Sequence, residues 1–295
     1  MNRPPHSVQQ GVSDLLQTHF KKDVALKSFS PIGGGCINSG GKLSTSQGDF
    51  FVKWNEAKKY AGMFAAEATG LKLLAAPNAI RIPEVVGYGE KDEYQFLVLE
   101  FIESHSRQND YWHLLGKELA ALHRSSNEKY GLDHENYIGS LPQRNKAHPS
   151  WVEFFIRERL EVQLKIGLDS HALSSSVVKR FEALYSKLPS ILMEEQPSLL
   201  HGDLWNGNLI TDEKGRPCLI DPAVYYGHRE VDLGLTTLFG GFDQKFYDTY
   251  QEAFPLEPGF RERLDIYNLY PLLVHVNLFG QSYLHQVNGI LNTFV

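Results

Sequence analysis

Apolar and polar positions alternate along Leu26–Ile32, and a glycine-rich stretch separates that run from Lys42–Thr45 and Phe50–Trp54. Period-two patterning punctuated by glycine predicts three antiparallel strands. From Met63 to Leu74 apolar residues recur at helical spacing, with Glu67 among them, so a helix follows. Pro77 and Pro83 bracket an irregular turn, and Gln95–Ile102, QFLVLEFI, is an apolar run suited to a buried strand. Beyond Ile102 the helical period takes over. Leu114–His123 is amphipathic, Trp151–Gly167 carries a longer helical pattern ending at glycine, and Ser174–Lys187 repeats it. Val231–Phe239, Gln244–Glu252 and Arg261–Leu284 also read as helices. Tyr130–Ser150, polar and holding Gly131, Gly139, Pro142 and Pro149, reads as a long loop. Leu209–Thr211 and Cys218–Ile220 are short strand-like runs around the turn signal Asp212-Glu213-Lys214-Gly215, which predicts a hairpin. The chain is therefore expected to be α+β. Residues 1–101 form a unit with a five-stranded sheet, a glycine-rich loop and one main helix. Residues 102–295 are mainly helical, and the boundary near Ile102 is a hinge, since no Ser/Pro/Gly-rich spacer marks it.

Composition narrows the function classes. With 295 residues and 42% hydrophobic content, the chain can bury a sizeable core. A formal net charge of −6 argues against a nucleic-acid partner, and no Lys/Arg block suggests a membrane patch. The opening MNRPPHSVQQ lacks the apolar run of a secretory signal, and no stretch has the length of a membrane span. Two cysteines, Cys36 and Cys218, make a disulfide framework improbable. The expectation is a cytoplasmic enzyme.

The richest stretch chemically is His201–Ala223, HGDLWNGNLITDEKGRPCLIDPA. Asp203 and Asn208 stand five residues apart, and Asp221 closes the apolar run from Pro217 to Ile220. Phosphoryl transfer needs a carboxylate to orient the attacking hydroxyl and oxygen ligands for the Mg²⁺ that bridges nucleotide phosphates. Protein kinases use an Asp and an Asn at this spacing, with a further Asp downstream at a strand end. Taken alone, His-Gly-Asp would be only a turn and Asp221 a strand cap. Gly33, Gly34, Gly35, Cys36, Ile37 and Asn38 lie between two predicted strands, where small residues let backbone N–H groups approach phosphate oxygens. That segment matches neither G-x-G-x-x-G nor the Walker pattern, so a plain hairpin is the competing reading. Lys53, on the third strand, can pair with phosphates while Glu67 on the following helix holds it; taken singly, each reads as a solvent-facing charge. Glu100, Phe101 and Ile102 end the apolar strand where adenine would be held by backbone groups.

Other residues carry two readings each. Trp205 either walls a sugar face or supports the loop. His228 either lines the pocket or bonds within the Asp-Pro-Ala loop. Asp232, at a helix start, is expected to accept N–H bonds from the catalytic loop, and His201 to orient that loop. Asn277 and Gln281, one turn apart, either face the substrate or belong to a polar helix surface. Cys36, beside anion-facing N–H groups, is a candidate redox thiol that would link two subunits, or else a small residue among glycines.

The motifs HGDLWNGN, IDPAVYYGHREVDLGLTTLFGGF and HVNLFGQSYL closely resemble the fructosamine kinase (ketosamine-3-kinase) family. GGGCINSG, FVKW, VLEFI, YGLDHENYIGSLPQ and WVEFFIRERL also fit that family in order, so the resemblance spans essentially the whole chain. It implies a two-lobed protein-kinase-like fold and ATP-dependent phosphorylation of a sugar hydroxyl, typically O3, on a ketosamine such as fructosamine or ribulosamine. Phosphorylation there makes the adduct unstable, hence a protein-deglycation activity. By position, the resemblance makes Asp203 the catalytic base, Asn208 and Asp221 Mg²⁺ ligands, and Lys53 with Glu67 the phosphate-orienting pair. Asp-Pro-Ala replaces the protein-kinase Asp-Phe-Gly and no Ala-Pro-Glu follows, which favours a small-molecule or glycated-amine acceptor. The alternatives are a kinase for an aminoglycoside, choline or another sugar, and a non-catalytic nucleotide-binding pseudokinase. The protein would be a monomer or a homodimer.

Overall fold

The computed structural model describes residues 3–33 and 38–295. Gly34, Gly35, Cys36 and Ile37, expected to face phosphate, lie outside the described residues, and with them the redox reading of Cys36. Period-two alternation produces a five-stranded antiparallel sheet in the order β1-β2-β3-β5-β4. Its strands are β1 (Leu26–Pro31), β2 (Ser39–Thr45), β3 (Gly48–Glu56), β4 (Val85–Lys91) and β5 (Tyr94–Glu100). Phe50, Val52 and Trp54 bury one face of β3 in a cluster with Val8, Val12 and Leu16. Those three belong to helix α1 (His6–Phe20), an element not among those expected. The first unit thus has two principal helices, α1 and α2 (Met63–Ala75), where one was expected. Each fully buried Val or Leu on α1 contributes about 1.5–3 kcal/mol. The opposite face of β3 carries Lys53 and Asn55, because side chains alternate across a strand.

The predicted hairpin forms from Leu209–Thr211 and Pro217–Leu219, with Ile210 opposite Cys218. Its turn closes on Asp212, whose Oδ1 accepts the amides of Lys214 and Arg216 at 2.9 and 2.8 Å. Backbone bonds tie the hairpin to earlier chain: Leu219 N–H donates to Arg81 O at 3.0 Å and Gln108 N–H to Gly215 O at 3.1 Å. Where the pattern suggested one break near Ile102, contacts therefore divide the chain differently. One compact unit is Met1–Tyr111 with Leu209–Pro222, and the other is Trp112–Asn208 with Ala223–Val295.

The second unit is mainly helical. The run expected over Trp151–Gly167 is α-helical at Trp151–Phe154, π-helical at Phe155–Leu160 and α-helical again at Glu161–Asp169. The π-helical stretch itself buries Phe155, Glu158, Arg159 and Leu160. The helix expected over Arg261–Leu284 ends instead at Phe279, and a 3₁₀ turn and the helix Leu284–Phe294 follow. Gly280, at φ 94° and ψ −172°, takes a positive-φ conformation suited to glycine and stops it. Asn277 consequently serves packing: its Nδ2 donates to Gln163 O and Oε1 at 3.0 and 2.8 Å. Tyr130–Ser150 holds a small hairpin, Asn136–Ile138 with Leu141–Gln143. Trp151, Phe154, Phe181, Tyr225, Tyr267 and Leu273 are in the core of this second unit. Among the described residues, no helix is long and apolar enough to cross a membrane.

Candidate active site

In the first unit, Lys53 is the focus. Alternation on β3 turns it away from the α1 cluster, and its Nζ donates to Glu67 Oε1 and to Asp221 Oδ1, both at 2.8 Å. Lys53 is only 6% exposed. Burial alone would lower its pKa, but Asp221 and Glu67 outweigh that and hold it above the ordinary lysine value, so it stays charged. Burial likewise pushes the Glu67 carboxyl up, and the Lys53 charge works against that shift. Asp221 adopts φ 54°, a left-handed conformation uncommon outside glycine. The hairpin delivers Asp221 to Lys53 across 168 positions of sequence.

In the second unit, Asn208 Nδ2 donates to both the main-chain O and the Oδ2 of Asp203, each at 2.9 Å. The predicted base and the predicted amide ligand are thus in direct contact. Their loop is pinned from beneath by Asp232, which is fully buried. Asp232 Oδ2 accepts His201 N–H at 2.8 Å, Oδ1 accepts Gly202 N–H at 2.9 Å, and His123 Nε2 lies 3.2 Å from Oδ2. This is the structural role expected of Asp232. Gly202 has φ 79°, and a Cβ there would overlap the carbonyl oxygen of Ala223, so only glycine fits on both counts.

The remaining predicted residues separate. Asn38 Oδ1 accepts Asn55 Nδ2 at 2.8 Å, which fixes one end of the glycine segment to β3; Gly33 at the other end is exposed. The Glu100 side chain turns to Arg81 and to the Glu84 amide. Phe101 lies 4.5 Å beneath Lys42 Nζ, and Ile102 is buried. Trp205 is half-buried, packed edge-on to Phe239 with ring centres 5.9 Å apart. A Cβ on Gly207 would fall inside its indole. His228, expected beside substrate or in its loop, is fully buried. It stacks on Tyr267 at 5.5 Å, its Nδ1 accepts Glu230 N–H at 3.3 Å, and burial lowers its pKa. That is a core setting. Sequence reasoning missed the aromatic row continuing from Phe239 to His275 (4.8 Å) and on to Tyr283 (4.9 Å). The LFGG and HVNLFG motifs were its visible signal.

These features define the class first: an α+β, protein-kinase-like fold. An aminoglycoside phosphotransferase shares it with a TM-score of 0.65 over 97% of this chain and 99% of that one, at 14% identity, a likeness of fold alone. Within that class the chain belongs to the fructosamine kinase family, whose family model matches residues 8–295. It is 40% identical to a protein assigned as a ketoamine kinase in Synechocystis, over 98% of this chain and 96% of that one. Identity to the chloroplastic protein-ribulosamine 3-kinase of Oryza sativa subsp. indica is 38%, over 93% and 80%. The crystal structure of a protein assigned as a fructosamine-3-kinase from Haemophilus somnus has a TM-score of 0.89 at 31% identity, covering 98% of each chain.

The Asp232 geometry yields a pH dependence. Burial alone would raise its pKa, but the bond to His123 and the Gly202 amide reverse this, so it falls below the ordinary 3.8. The unfolded chain therefore takes up this proton at higher pH than the folded chain. The stabilisation is fully present above pH 3.8 and is lost as pH falls through the lower folded value. Asp232→Asn is expected to cost on the order of 3 kcal/mol near neutrality and to flatten the acid limb of stability against pH. Urea melts across that range check it; an unaltered acid limb would remove Asp232 from this role.

Proposed function

We propose that the chain is an ATP-dependent kinase that phosphorylates a sugar hydroxyl, O3, of a ketosamine such as fructosamine or ribulosamine. The observation that carries the reading is the Lys53 ammonium held 2.8 Å from both Glu67 and Asp221. A buried cation restrained by an acidic helix residue is what phosphate oxygens require. The acceptor class is supported by the relatives, which include a protein-ribulosamine 3-kinase. An adduct phosphorylated at O3 is unstable, so the activity is a deglycation of amines. A small-molecule or exposed glycated-amine acceptor and a reducing, cytoplasmic setting complete the proposal.

The donor set fits Mg²⁺. Asp221 and Asn208 offer hard oxygen atoms, and two protein ligands suffice for an ion that keeps waters and phosphate oxygens. Asn208 Nδ2 is committed to Asp203, so Oδ1 is the atom that would coordinate. When bound, Mg²⁺ supplies charge neutralisation across the phosphates. Everything else falls to the chain itself. Lys53 takes phosphate charge, and Asn208 fixes the Asp203 carboxylate. Asp203 accepts the hydrogen bond of the acceptor hydroxyl and aligns it for in-line attack, receiving its proton late. Trp205 offers the sugar an apolar wall.

Incubation of the protein with Mg-ATP and synthetic fructosamine or ribulosamine, followed by phosphorus NMR, tests the reading. A 3-phosphate is expected from at least one; no phosphorylated product from either contradicts it. Asp203→Asn is expected to lower kcat by about 10²-fold or more, with nucleotide affinity kept, and full activity in that variant would refute its role. Trp205→Phe and Gly207→Ala, the latter by displacing the indole, are each expected to raise the ketosamine KM selectively. An unchanged KM in both folded variants takes Trp205 out of the site.

A further inference from the structure

The polar loop Tyr130–Ser150 buries residues that no catalytic role accounts for. Gln143 is 1% exposed and Tyr270, on the helix Phe260–Phe279, is 3% exposed. Gln143 Nε2 donates to Ala223 O at 3.1 Å and to Asn136 Oδ1 at 2.8 Å, while its Oε1 accepts the Tyr270 hydroxyl at 2.8 Å. Asn136 Nδ2 donates to the next carbonyl, Val224 O, at 2.8 Å. Asn136 Oδ1 also accepts Asn145 Nδ2 at 2.9 Å, and Asn145 Oδ1 accepts the buried Arg159 at 2.9 Å. Arg159 in turn lies 3.9 Å over the Tyr225 ring. Three of these contacts end on one short segment, Ala223–Tyr225: those of Gln143 with Ala223 O, Asn136 with Val224 O and Arg159 with the Tyr225 ring.

That segment bears directly on the catalytic loop. Ala223 N–H donates to His201 O at 2.9 Å, and the Ala223 carbonyl oxygen occupies the space that a Cβ on Gly202 would need. Gly202 immediately precedes Asp203. Apolar residues of equal volume would stabilise this core as well as a polar chain does, but they would leave the Ala223 and Val224 carbonyls unpartnered and their direction unset. Tyr270 keeps its proton for Gln143: burial raises its pKa, and the nearby Asp203 charge adds to the shift.

We propose that Gln143 and Tyr270 are positioning residues, a side-chain clamp that fixes the Ala223 carbonyl against Gly202 and so sets the place of the Asp203 carboxylate. The inference deepens the proposed function and, for its kinetic readout, rests on it. Base placement acts on the chemical step, so the clamp governs kcat and leaves nucleotide and ketosamine binding alone.

The test is a double-mutant cycle of Gln143→Met and Tyr270→Phe on the full chain. It is read by ketosamine kinase kinetics and by hydrogen–deuterium exchange of peptides covering 199–206 and 223–226. Gln143→Met is expected to lower kcat about ten- to a hundredfold. Tyr270→Phe, which removes one oxygen and keeps the ring, is expected to lower it about three- to tenfold, and the double variant to be no worse than Gln143→Met alone. Both KM values stay within about twofold, and exchange quickens in the two peptides while that in Ser175–Tyr185 is unchanged. Unchanged kcat, multiplicative effects, or exchange that rises uniformly would each overturn the clamp. Should Gln143→Met fail to fold, Tyr270→Phe alone decides by the same measures. A wild-type chain inactive on every ketosamine would instead defeat the functional reading, and exchange alone would then judge the clamp.

Discussion

A buried ammonium group between two carboxylates sets the terms for the first unit. Lys53 could not remain charged at 6% exposure without Glu67 and Asp221. Each of the three comes from a different element: a central strand, the helix after it and the end of a distant hairpin. The sheet fixes Lys53 by strand alternation, and the backbone bonds of Leu219 and Gly215 fix the hairpin that carries Asp221. Packing apolar residues on one face of β3 thus places a paired cation on the other.

The second unit handles the opposite problem, holding an anion in position. Asp232 collects two loop amides and His123, and Asn208 holds Asp203. Fixed dipoles of this kind need no reorganisation during reaction, which is where electrostatic catalysis has its advantage. The Gln143–Tyr270 clamp extends the same logic one layer outward, to the carbonyl against which Gly202 rests.

Much of this was legible in sequence. Alternation located β1, β2 and β3, an unbroken apolar run located β5, and the spacing of Asp203, Asn208 and Asp221 pointed to phosphotransfer chemistry. Helix α1 is hard to read as a pattern, because Val8, Val12 and Leu16 stand four apart among many polar residues. The π-helical stretch and the break at Gly280 depend on tertiary packing and one positive-φ glycine, which a periodic pattern cannot separate from a continuous helix. His228 read either as lining the pocket or as bonding within its loop, since sequence does not show how far a polar residue is buried; its burial against Trp151 and Tyr267 is a property of the assembled core. For the same reason Asn136, Gln143 and Asn145 read as loop polarity, although all three are buried.

The central claim is that Asp221, held at Lys53, is the carboxylate through which Mg²⁺ strengthens nucleotide binding. Calorimetric titration of ATP with Mg²⁺ and with chelator, on the wild-type chain and on Asp221→Ala, tests it most directly. Tighter binding with Mg²⁺ in the wild type, and loss of that gain in the variant, is the predicted result. An equal Mg²⁺ gain in both proteins would contradict it.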